Sequence, residues 1–430
     1  MALKPGYKLT EVGVIPEDWE PASLSKLITG LVSGVSVNSV TDNSISTSCD
    51  LSILKTSCVM RGLFIPRECK YIINKDVHRA KLNPKNNSIL ISRMNTPALV
   101  GECGYVDRDY PTLFLPDRLW MTQHENGNVN VLWLSLILSF GTISQAIKEA
   151  ASGTSGSMKN ISKQSFFAIN IPLPPLPEQH AIATALSDVD TLITKLDQLI
   201  AKKRDIKQAT MQQLLTGQTR LPGFSGEWEV KRLGDMIGFQ VGFPFSSTFF
   251  NDKGQGVRLI KNRDLKTDNQ IFHYSGKYDE TFVVTNGDVL VGMDGDFLPC
   301  LWTKGAALLN QRVGRIVPRA SLNKLYTYFF LIEPLKEIEV ATSGTTVRHL
   351  SHGDVEAIEK PLPEIDEQIA IATILSDMDA EITALESRRD KTRALKQGMM
   401  QELLTGRIRL PIAKHHMVSD RTNPTVETRQ

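Results

Sequence analysis

Two stretches of the chain share one pattern of apolar positions, and that pattern predicts a long helix in each. Apolar side chains recur at alternating spacings of four and three along residues 171–217 and again along residues 361–410. This spacing gathers them on one stripe of a helix and is typical of a coiled-coil seam. The residues predicted to pair the two helices are Ile182, Leu186, Val189, Ile193 and Leu196 in the first and Ile371, Leu375, Met378, Ile382 and Leu385 in the second.

Both ends of each stretch carry residues that begin or end helices. Pro177 suits a first helical turn, and Asp366 is the predicted N-cap of the second helix. Glu178 places a negative charge in the first turn, where the helix dipole favours it, and Glu367 does so in the second copy. Gly217 and Gly406 are predicted to end the helices in a left-handed conformation.

The two stretches are copies of one another. Residues 172–222 and 361–411 align without gaps at a shift of 189, and 29 of the 51 positions are identical. Weaker similarity extends on either side: Trp19 corresponds to Trp228, and Pro116–Arg118 falls where the second copy has Asn310–Arg312. The chain therefore contains an internal duplication.

Each predicted helix is about 60 Å long, at 1.5 Å per residue, and has an apolar stripe that must be covered. Two such helices in one chain can cover each other, most simply as an antiparallel pair that separates two globular domains with approximate two-fold symmetry. The alternative is two ordinary helices packed in separate cores.

The segments between the helices have a different pattern. Short apolar runs such as 88–92, 281–284, 288–291 and 313–317 are bounded by Gly, Asn, Asp and Pro and predict strands. Helices are predicted at 131–151 and 322–340. The fold class is therefore α+β, with globular domains at 1–170 and 218–360, helices at 171–217 and 361–410, and a disordered tail at 411–430.

Composition adds little to this picture. The net charge of +2 over 430 residues requires any nucleic-acid surface to arise from local clustering of the 49 Lys and Arg residues. The five cysteines form no C-x-x-C pair, which favours reduced thiols over a zinc site. Because no apolar stretch has the length of a signal peptide or a membrane span, we expect a cytoplasmic protein that does not associate with a membrane.

A search for catalytic motifs favours a binding role. The chain lacks a G-x-x-x-x-G-K-[ST] phosphate loop, an H-E-x-x-H motif and the N/D-P-P-[FY] motif of adenine methyltransferases. Gly292–Asp296 is rich in glycine and carboxylates, but it lacks the ligand spacing of a calcium loop and is interpreted as a strand-ending turn. We therefore expect no catalytic, cofactor-binding or metal-binding residue in this chain.

The repeated segments resemble those of a known family. PLPPLPEQ leads into a helix that ends in LLTG, and PLPEIDEQ leads to a second LLTG near residue 406. With the Trp19 and Trp228 segments and LNQRVG at residues 309–314, these motifs resemble the specificity subunits of type I restriction–modification systems. The resemblance extends from about residue 7 to residue 411.

This resemblance implies a targeting subunit that is not itself an enzyme. Each of the two globular domains would be a target-recognition domain that reads one half of a bipartite site in double-stranded DNA. The helices would act as spacers and dock two modification subunits, which bind S-adenosylmethionine and methylate adenine. Restriction subunits would complete an ATP-dependent nuclease, so S-adenosylmethionine, ATP and Mg²⁺ are expected on the partners. The alternative is a coiled-coil scaffold that joins two modules unrelated to DNA.

Basic clusters in the two variable segments are the candidates for DNA contact. Arginine and asparagine bind guanine and adenine bidentately, and lysine neutralises phosphates. For each residue the alternative is an ordinary solvated surface position. The candidates are Arg61, Arg67, Lys70, Lys75, Arg79, Lys81, Lys85, Arg93 and Lys159 in the first segment and Arg258, Lys261, Asn262, Arg263, Lys266 and Arg348 in the second.

Overall fold

The computed structural model describes residues 4–41, 51–125, 127–153, 157–342 and 349–411, which belong to two compact units. Unit 1 comprises residues 1–195 and 390–430, and unit 2 comprises residues 196–389. Apart from Pro411, the tail predicted at 411–430 lies outside the described residues. The domain boundaries drawn from the sequence remain a prediction.

Unit 1 is built mainly of short strands. They are β1 (Tyr7–Thr10), β2 (Gly13–Pro16), β3 (Glu20–Ser23), β4 (Gly30–Ser33), β5 (Ser39–Val40), β6 (Ser52–Leu54), β7 (Val59–Met60), β8 (Leu63–Phe64), β9 (Cys69–Ile72), β10 (Ser88–Ser92), β11 (Met94–Asn95), β12 (Cys103–Val106), β13 (Leu113–Phe114), β14 (Leu119–Gln123), β15 (Ala151–Ser152), β16 (Lys159–Ile161) and β17 (Asn170–Leu173). The helices that begin in this unit are α1 (Val131–Leu138), α2 (Gly141–Glu149), α3 (Lys163–Phe167) and α4 (Leu176–Leu215).

Unit 2 is likewise built of short strands and helices, but it has fewer strands. They are β18 (Glu229–Arg232), β19 (Ile237–Val241), β20 (Phe250–Asn251), β21 (Val257–Ile260), β22 (Phe272–Tyr274), β23 (Val283–Val284), β24 (Val289–Gly292), β25 (Pro299–Leu301), β26 (Ala307–Leu309), β27 (Val313–Pro318) and β28 (Glu359–Leu362). Its helices are α5 (Leu233–Met236), α6 (Lys324–Phe330), α7 (Ile332–Ala341), α8 (His352–Glu356) and α9 (Ile365–Leu403).

The same four-stranded sheet occurs in both units. In unit 1 the strand order is β12-β10-β14-β4, and in unit 2 it is β25-β24-β27-β19, with antiparallel neighbours throughout. The central strands, β10 and β24, are completely buried, which explains why their sequences SILIS and VLVG contain no charged residue.

A second sheet also recurs, and its one parallel pair identifies the equivalent strands. The order is β13-β6-β9-β5 in unit 1 and β23-β26-β21-β22-β20 in unit 2. The pair β13 and β6 is parallel, as is the pair β26 and β21. The two variable segments, which share little sequence, therefore have one topology.

The predicted long helices are present, and within each unit their segments run antiparallel. In unit 2, Lys207 of α4 pairs with Asp379 of α9, Lys203 with Glu381, and Asp197 with Arg389. In unit 1, Asp190 pairs with Lys396 at 2.7 Å. The partner number rises along α9 as the position in α4 falls, as an antiparallel pair requires.

The residues predicted to pair the helices lie on the inner stripe. Ile182, Leu186, Leu196, Ile371, Leu375 and Ile382 are buried, and Val189, Ile193, Met378 and Leu385 are half-buried. In unit 1, Ile182 and Leu186 join a core with Met400 and Leu403, whereas in unit 2 Ile371 and Leu375 join a core with Met211 and Leu214.

The ends of the long helices differ from expectation at one residue. The second helix begins at Ile365, so Asp366 lies inside its first turn and is not the N-cap. The prediction took Asp366 for a cap because its short carboxylate suits that position, but the helix begins one residue earlier. Gly217 and Gly406 follow the helix ends with φ values of +72° and +70°, which confirms their predicted conformation.

A buried carboxylate holds the start of each long helix. In unit 1, Glu178 accepts a hydrogen bond from Trp19 Nε1 at 2.9 Å and forms an ion pair with Arg409. In unit 2, Glu367 accepts the same bonds from Trp228 Nε1 at 3.1 Å and from Arg220 at 2.7 Å. We call each of these three-residue sets a helix-start clasp. Both glutamates are buried, so their charge is balanced by the arginine and not by water.

Sequence-predicted elements of the variable segments are only partly observed. The strand predicted at 88–92 is β10, but the stretch predicted as a strand at 281–284 is a short 3₁₀ turn followed by the two-residue β23. The helices predicted at 131–151 and 322–340 are each broken into two, at α1–α2 and α6–α7. In the part of the chain that the structure describes, no single helix is long and apolar enough to cross a membrane. The bent pair α1–α2 matches a membrane span in length and composition only.

Candidate nucleic-acid interface

One edge of the four-stranded sheet gathers loops and basic side chains in both units. In unit 1 this edge contains the residues that follow β4 and β10 and those that precede β12 and β14. In unit 2 it contains the residues that follow β19 and β24 and those that precede β25 and β27. We call this the loop edge of each unit. Because antiparallel neighbours alternate direction, residues far apart in sequence meet there.

The loop edge of unit 1 brings together three of the predicted residues. Arg93 follows β10, and Lys159 lies opposite Asn95 on the adjacent β16. The backbone N–H of Arg61 donates to Glu102 at 2.6 Å, and Lys148 pairs with the same carboxylate at 3.1 Å. The positive φ of Arg61, +52°, is uncommon for a residue other than glycine, and this hydrogen bond helps to hold it.

Other predicted residues of unit 1 lie elsewhere. Lys70 is in β9, and Lys75 and Arg79 are in a 3₁₀ segment beyond the end of that strand. Lys85 pairs with Asp109 beside the opposite edge of the sheet, since it precedes β10. Arg67 and Lys81 are exposed. The structure therefore divides the basic run of residues 61–93 between separate surfaces of unit 1.

The loop edge of unit 2 is centred on Asp294. Its backbone carbonyl accepts a hydrogen bond from Asn262, and its carboxylate lies 3.4 Å from Arg312 and 2.9 Å from His349 Nδ1. Lys266 pairs with Asp296 in the same loop. Of the predicted residues, Asn262 and Lys266 are brought to this edge.

A broad cavity of about 620 Å³ opens beside these residues within unit 2. Its lining includes Asn262, Arg263 and Lys266 together with Asp294, Cys300 and Tyr328. The walls thus present hydrogen-bond donors and acceptors side by side.

Two of the predicted DNA-contact residues of unit 2, Arg258 and Lys261, interact with side chains of the same unit. Arg258 is largely buried, pairs with Asp268 and stacks over the ring of Trp302 at 4.9 Å. A hydrogen bond from Lys304 and a weaker effect of the hydrogen bond from Arg258 hold the pKa of Asp268 below its usual range. Lys261 lies 3.4 Å from the centre of the Phe272 ring, and burial lowers its pKa. Contact of these residues with DNA remains a prediction, and Arg348 lies outside the described residues.

Two arginines at the loop edges were not among the candidates. Arg118 directly precedes β14, and Arg312 directly precedes β27. The sequence contained a signal for them, because Pro116–Arg118 aligns with Asn310–Arg312, but neither arginine belongs to a basic run. Clustering along the chain was therefore a poor guide to clustering in space.

Within the described ranges, no group of three or more His, Cys, Asp or Glu side chains is placed to hold a metal ion. Asp294 and Asp296, the two carboxylates of the turn at Gly292–Asp296, pair with Arg312 and Lys266. Cationic partners satisfy these carboxylates, and this fits a strand-ending turn.

The chain consists of two equivalent units, each with a basic loop edge, and contains a duplicated long helix. Comparison with known families shows which class of protein has this architecture. The family described as type I restriction modification DNA specificity domain matches twice, at residues 36–204 and 225–393. The chain belongs to this family. The family is one of specificity subunits, which are generally not catalytic.

Individual relatives agree with this assignment. The chain is 24% identical over 425 residues to the putative type I restriction enzyme MjaX specificity subunit of Methanocaldococcus jannaschii, covering 94% of this chain and 97% of that protein. It is 38% identical over 172 residues to the EcoBI specificity subunit of Escherichia coli, covering 39% of this chain but only 36% of that relative. The type I S subunit of M. genitalium shares the fold, with a TM-score of 0.57 at 14% identity over 93% of this chain and 99% of that one.

Proposed function

We propose that this chain directs a type I restriction–modification complex to a bipartite target in double-stranded DNA, each unit reading one half-site. The observation that carries the proposal is the recurrence of one sheet, with one basic loop edge, in two units that otherwise share little sequence. A duplicated framework with divergent loops suits a protein that presents two different reading surfaces.

The arrangement of charge supports a division of labour within each loop edge. Lysines and arginines such as the exposed Arg61 and the half-buried Lys159 would neutralise phosphates and supply most of the affinity. Side chains fixed by neighbours, such as Asn262, would contact base edges and supply specificity. The net charge of only +2 makes such local placement necessary, because the whole molecule does not attract DNA strongly.

The proposed partners are two modification subunits and the restriction subunits of the same system. The two grooves beside the ends of α4 and α9 are suited to equivalent partners. One is lined by Met211, Leu215 and Pro361 in unit 2, and the other by Leu404, Thr405 and Pro172 in unit 1. In this proposal S-adenosylmethionine, ATP and Mg²⁺ bind to the partners and none binds to this chain. The four described cysteines are free thiols, which suits the expected cytoplasmic location.

The experiment that tests the proposal is co-expression of the full chain with its modification subunits, followed by co-purification and mapping of methylated adenines on genomic DNA. We expect one complex and one bipartite motif with methylated adenine in both halves. The control is the same strain without this chain, in which the motif should be absent. A chain that forms no complex and directs no methylation would instead support a scaffold that joins two modules unrelated to DNA.

A further inference from the structure

Arg118 and Arg312 occupy the same place in their respective units. The backbone carbonyl of Arg118 accepts a hydrogen bond from Arg93 N–H at 3.1 Å, and that of Arg312 accepts one from Met293 N–H at 3.0 Å. Both donors directly follow the central strand of the sheet, β10 in unit 1 and β24 in unit 2. Both arginine side chains are exposed, although the residues that follow them, Leu119 and Val313, are fully buried.

The backbone around each arginine is fixed by a close approach of glycine. A Cβ added at Gly34 would lie 1.7 Å from the carbonyl oxygen of Leu115, and one at Gly242 would lie 2.1 Å from that of Asn310. Only glycine permits two chains to pass so closely. The segment that carries each arginine therefore has little freedom, so the side chain starts from a defined point at the loop edge.

The neighbour of Arg312 distinguishes between two kinds of DNA contact. Asp294 holds one edge of the guanidinium, with 3.4 Å between Arg312 Nη1 and the carboxylate. A phosphate bound to Arg312 would lie close to this carboxylate and be repelled by it. A base edge carries no net charge, so the carboxylate costs little there and instead orients the guanidinium for two parallel hydrogen bonds.

We propose that Arg312 and Arg118 are specificity-determining residues, each of which reads one guanine in the half-site of its own unit. Guanine is the base that accepts a bidentate arginine, through O6 and N7 in the major groove. The inference rests on the proposed function, because it assigns a role within the same DNA-reading edges. It adds a pair of residues that belong to neither basic run in the sequence.

The test uses the full chain co-expressed with its modification subunits and compares the methylated motifs of Arg312→Ala and Arg118→Ala with the wild-type motif. Each variant should lose about ten- to a hundred-fold of its preference for one G·C pair in one half-site. The other half-site should stay unchanged, and the two variants should affect opposite halves.

The sheet supplies matched controls at its opposite edge. Arg319 directly follows β27, the strand that Arg312 precedes, and Arg108 lies just beyond the end of β12 in unit 1. Both are exposed. Arg319→Ala and Arg108→Ala should leave the motif unchanged, and thermal unfolding of all four variants should match that of the wild type.

A further variant separates base reading from phosphate binding. Asp294→Asn removes the charge that orients Arg312, so preference at the same base pair should fall, although loss of a negative charge also tightens binding to every sequence. An unchanged preference at that base pair in Asp294→Asn, or an unchanged motif in Arg312→Ala, would overturn the inference and leave the proposed function standing. A wild-type complex that directs methylation to no motif would overturn both.

Discussion

At the scale of single residues, the most consequential groups are the buried glutamates of the two helix-start clasps. Glu178 and Glu367 are almost inaccessible to solvent, yet each takes part in an ion pair and accepts a tryptophan N–H. A buried charge is tolerated only when it is paired and hydrogen-bonded, so the arginine of each clasp is indispensable to it. The hydrogen bonds from Arg409 also lower the pKa of Asp18.

Removal of one clasp arginine should destabilise one unit selectively. Arg409→Ala leaves Glu178 buried without its cation and should cost about 2–3 kcal/mol in the free energy of unfolding of unit 1. Arg220→Ala should have the same effect on unit 2. Urea denaturation gives the magnitude, and hydrogen exchange shows which unit opens.

A neighbouring arginine provides the control for this prediction. Arg407 pairs with Glu402 at 3.7 Å, and both side chains are exposed. Arg407→Ala should therefore change the free energy of unfolding by less than about 0.5 kcal/mol. Equal losses in Arg407→Ala and Arg409→Ala would show that the buried ion pair contributes nothing specific.

The clasps also show what the sequence could and could not predict at this scale. Glu178 was assigned to the first helical turn, where the structure places it, but its partner Arg409 lies 231 residues away. No local pattern connects residues at that distance. The duplication did contain a signal, because Trp, Glu and Arg recur together in both copies.

At the scale of elements, the two long helices are paired by charge as well as by apolar contact. Lys203, Arg204 and Lys207 of α4 meet Asp379, Glu381 and Glu386 of α9. Parallel alignment would separate these groups, so they select the antiparallel arrangement even though each exposed pair contributes little to stability. The periodicity predicted the helices and the seam, because a single stripe of side chains determines both.

Equivalent leucines in the two helices should contribute equally to the stability of different units, one to unit 1 and the other to unit 2. Leu186 and Leu375 are fully buried and correspond in the repeat. Leu186→Ala should cost about 2–5 kcal/mol in unit 1, and Leu375→Ala should cost as much in unit 2, because each leaves a cavity. Hydrogen exchange across each unit measures the effect.

Partly exposed leucines of the same helix serve as controls. Leu192 in unit 1 and Leu199 in unit 2 are both 39% exposed. Leu192→Ala and Leu199→Ala should cost less than about 1 kcal/mol, since solvent already reaches these side chains. Equal destabilisation of both units by any single variant, measured by hydrogen exchange, would contradict the assignment of each leucine to one unit.

The loop edges were less predictable than the helices. The basic run at residues 61–93 is contiguous in sequence, but the fold distributes it over several surfaces, because strands and turns send successive residues in different directions. Arg118 and Arg312 are isolated in sequence, but the fold brings them to the edges where loops converge. Such convergence depends on strand order, which a single sequence does not specify.

At the scale of the whole molecule, the duplication accounts for the architecture more completely than the sequence identity suggests. Identity is concentrated in the helical segments, whereas the variable segments preserve strand order, the parallel pair and the close-approach glycines. Each long helix has residues in both units, with α4 divided at 195 and α9 at 389. The helices are therefore candidates to determine the spacing of the two proposed half-sites.

Lengthening both helices should change the DNA target in a simple way. An insertion of four helical residues into each adds about 6 Å, which is close to two base pairs at 3.4 Å each. The gap between half-sites should grow by about two base pairs, and the half-sites themselves should not change. Mapping of methylated adenines in the variant complex measures the gap.

The control for this prediction is an insertion in one helix alone. It should shift the ion pairs between α4 and α9 out of register and destabilise the chain without producing a new motif. A gap that stays constant when both helices are lengthened would mean that another part of the complex determines the spacing.

The discontinuity of unit 1 has a consequence for synthesis on the ribosome. Unit 2 is one uninterrupted stretch of chain, whereas unit 1 requires residues from both sides of it. Trp19 and Glu178 emerge early, but Arg409 follows Glu178 by 231 residues. At roughly 5–20 residues per second, the earlier part of unit 1 waits about 10 to 50 s for the residue that completes its clasp. We therefore expect unit 2 to complete its fold first, although translation of unit 1 begins before that of unit 2.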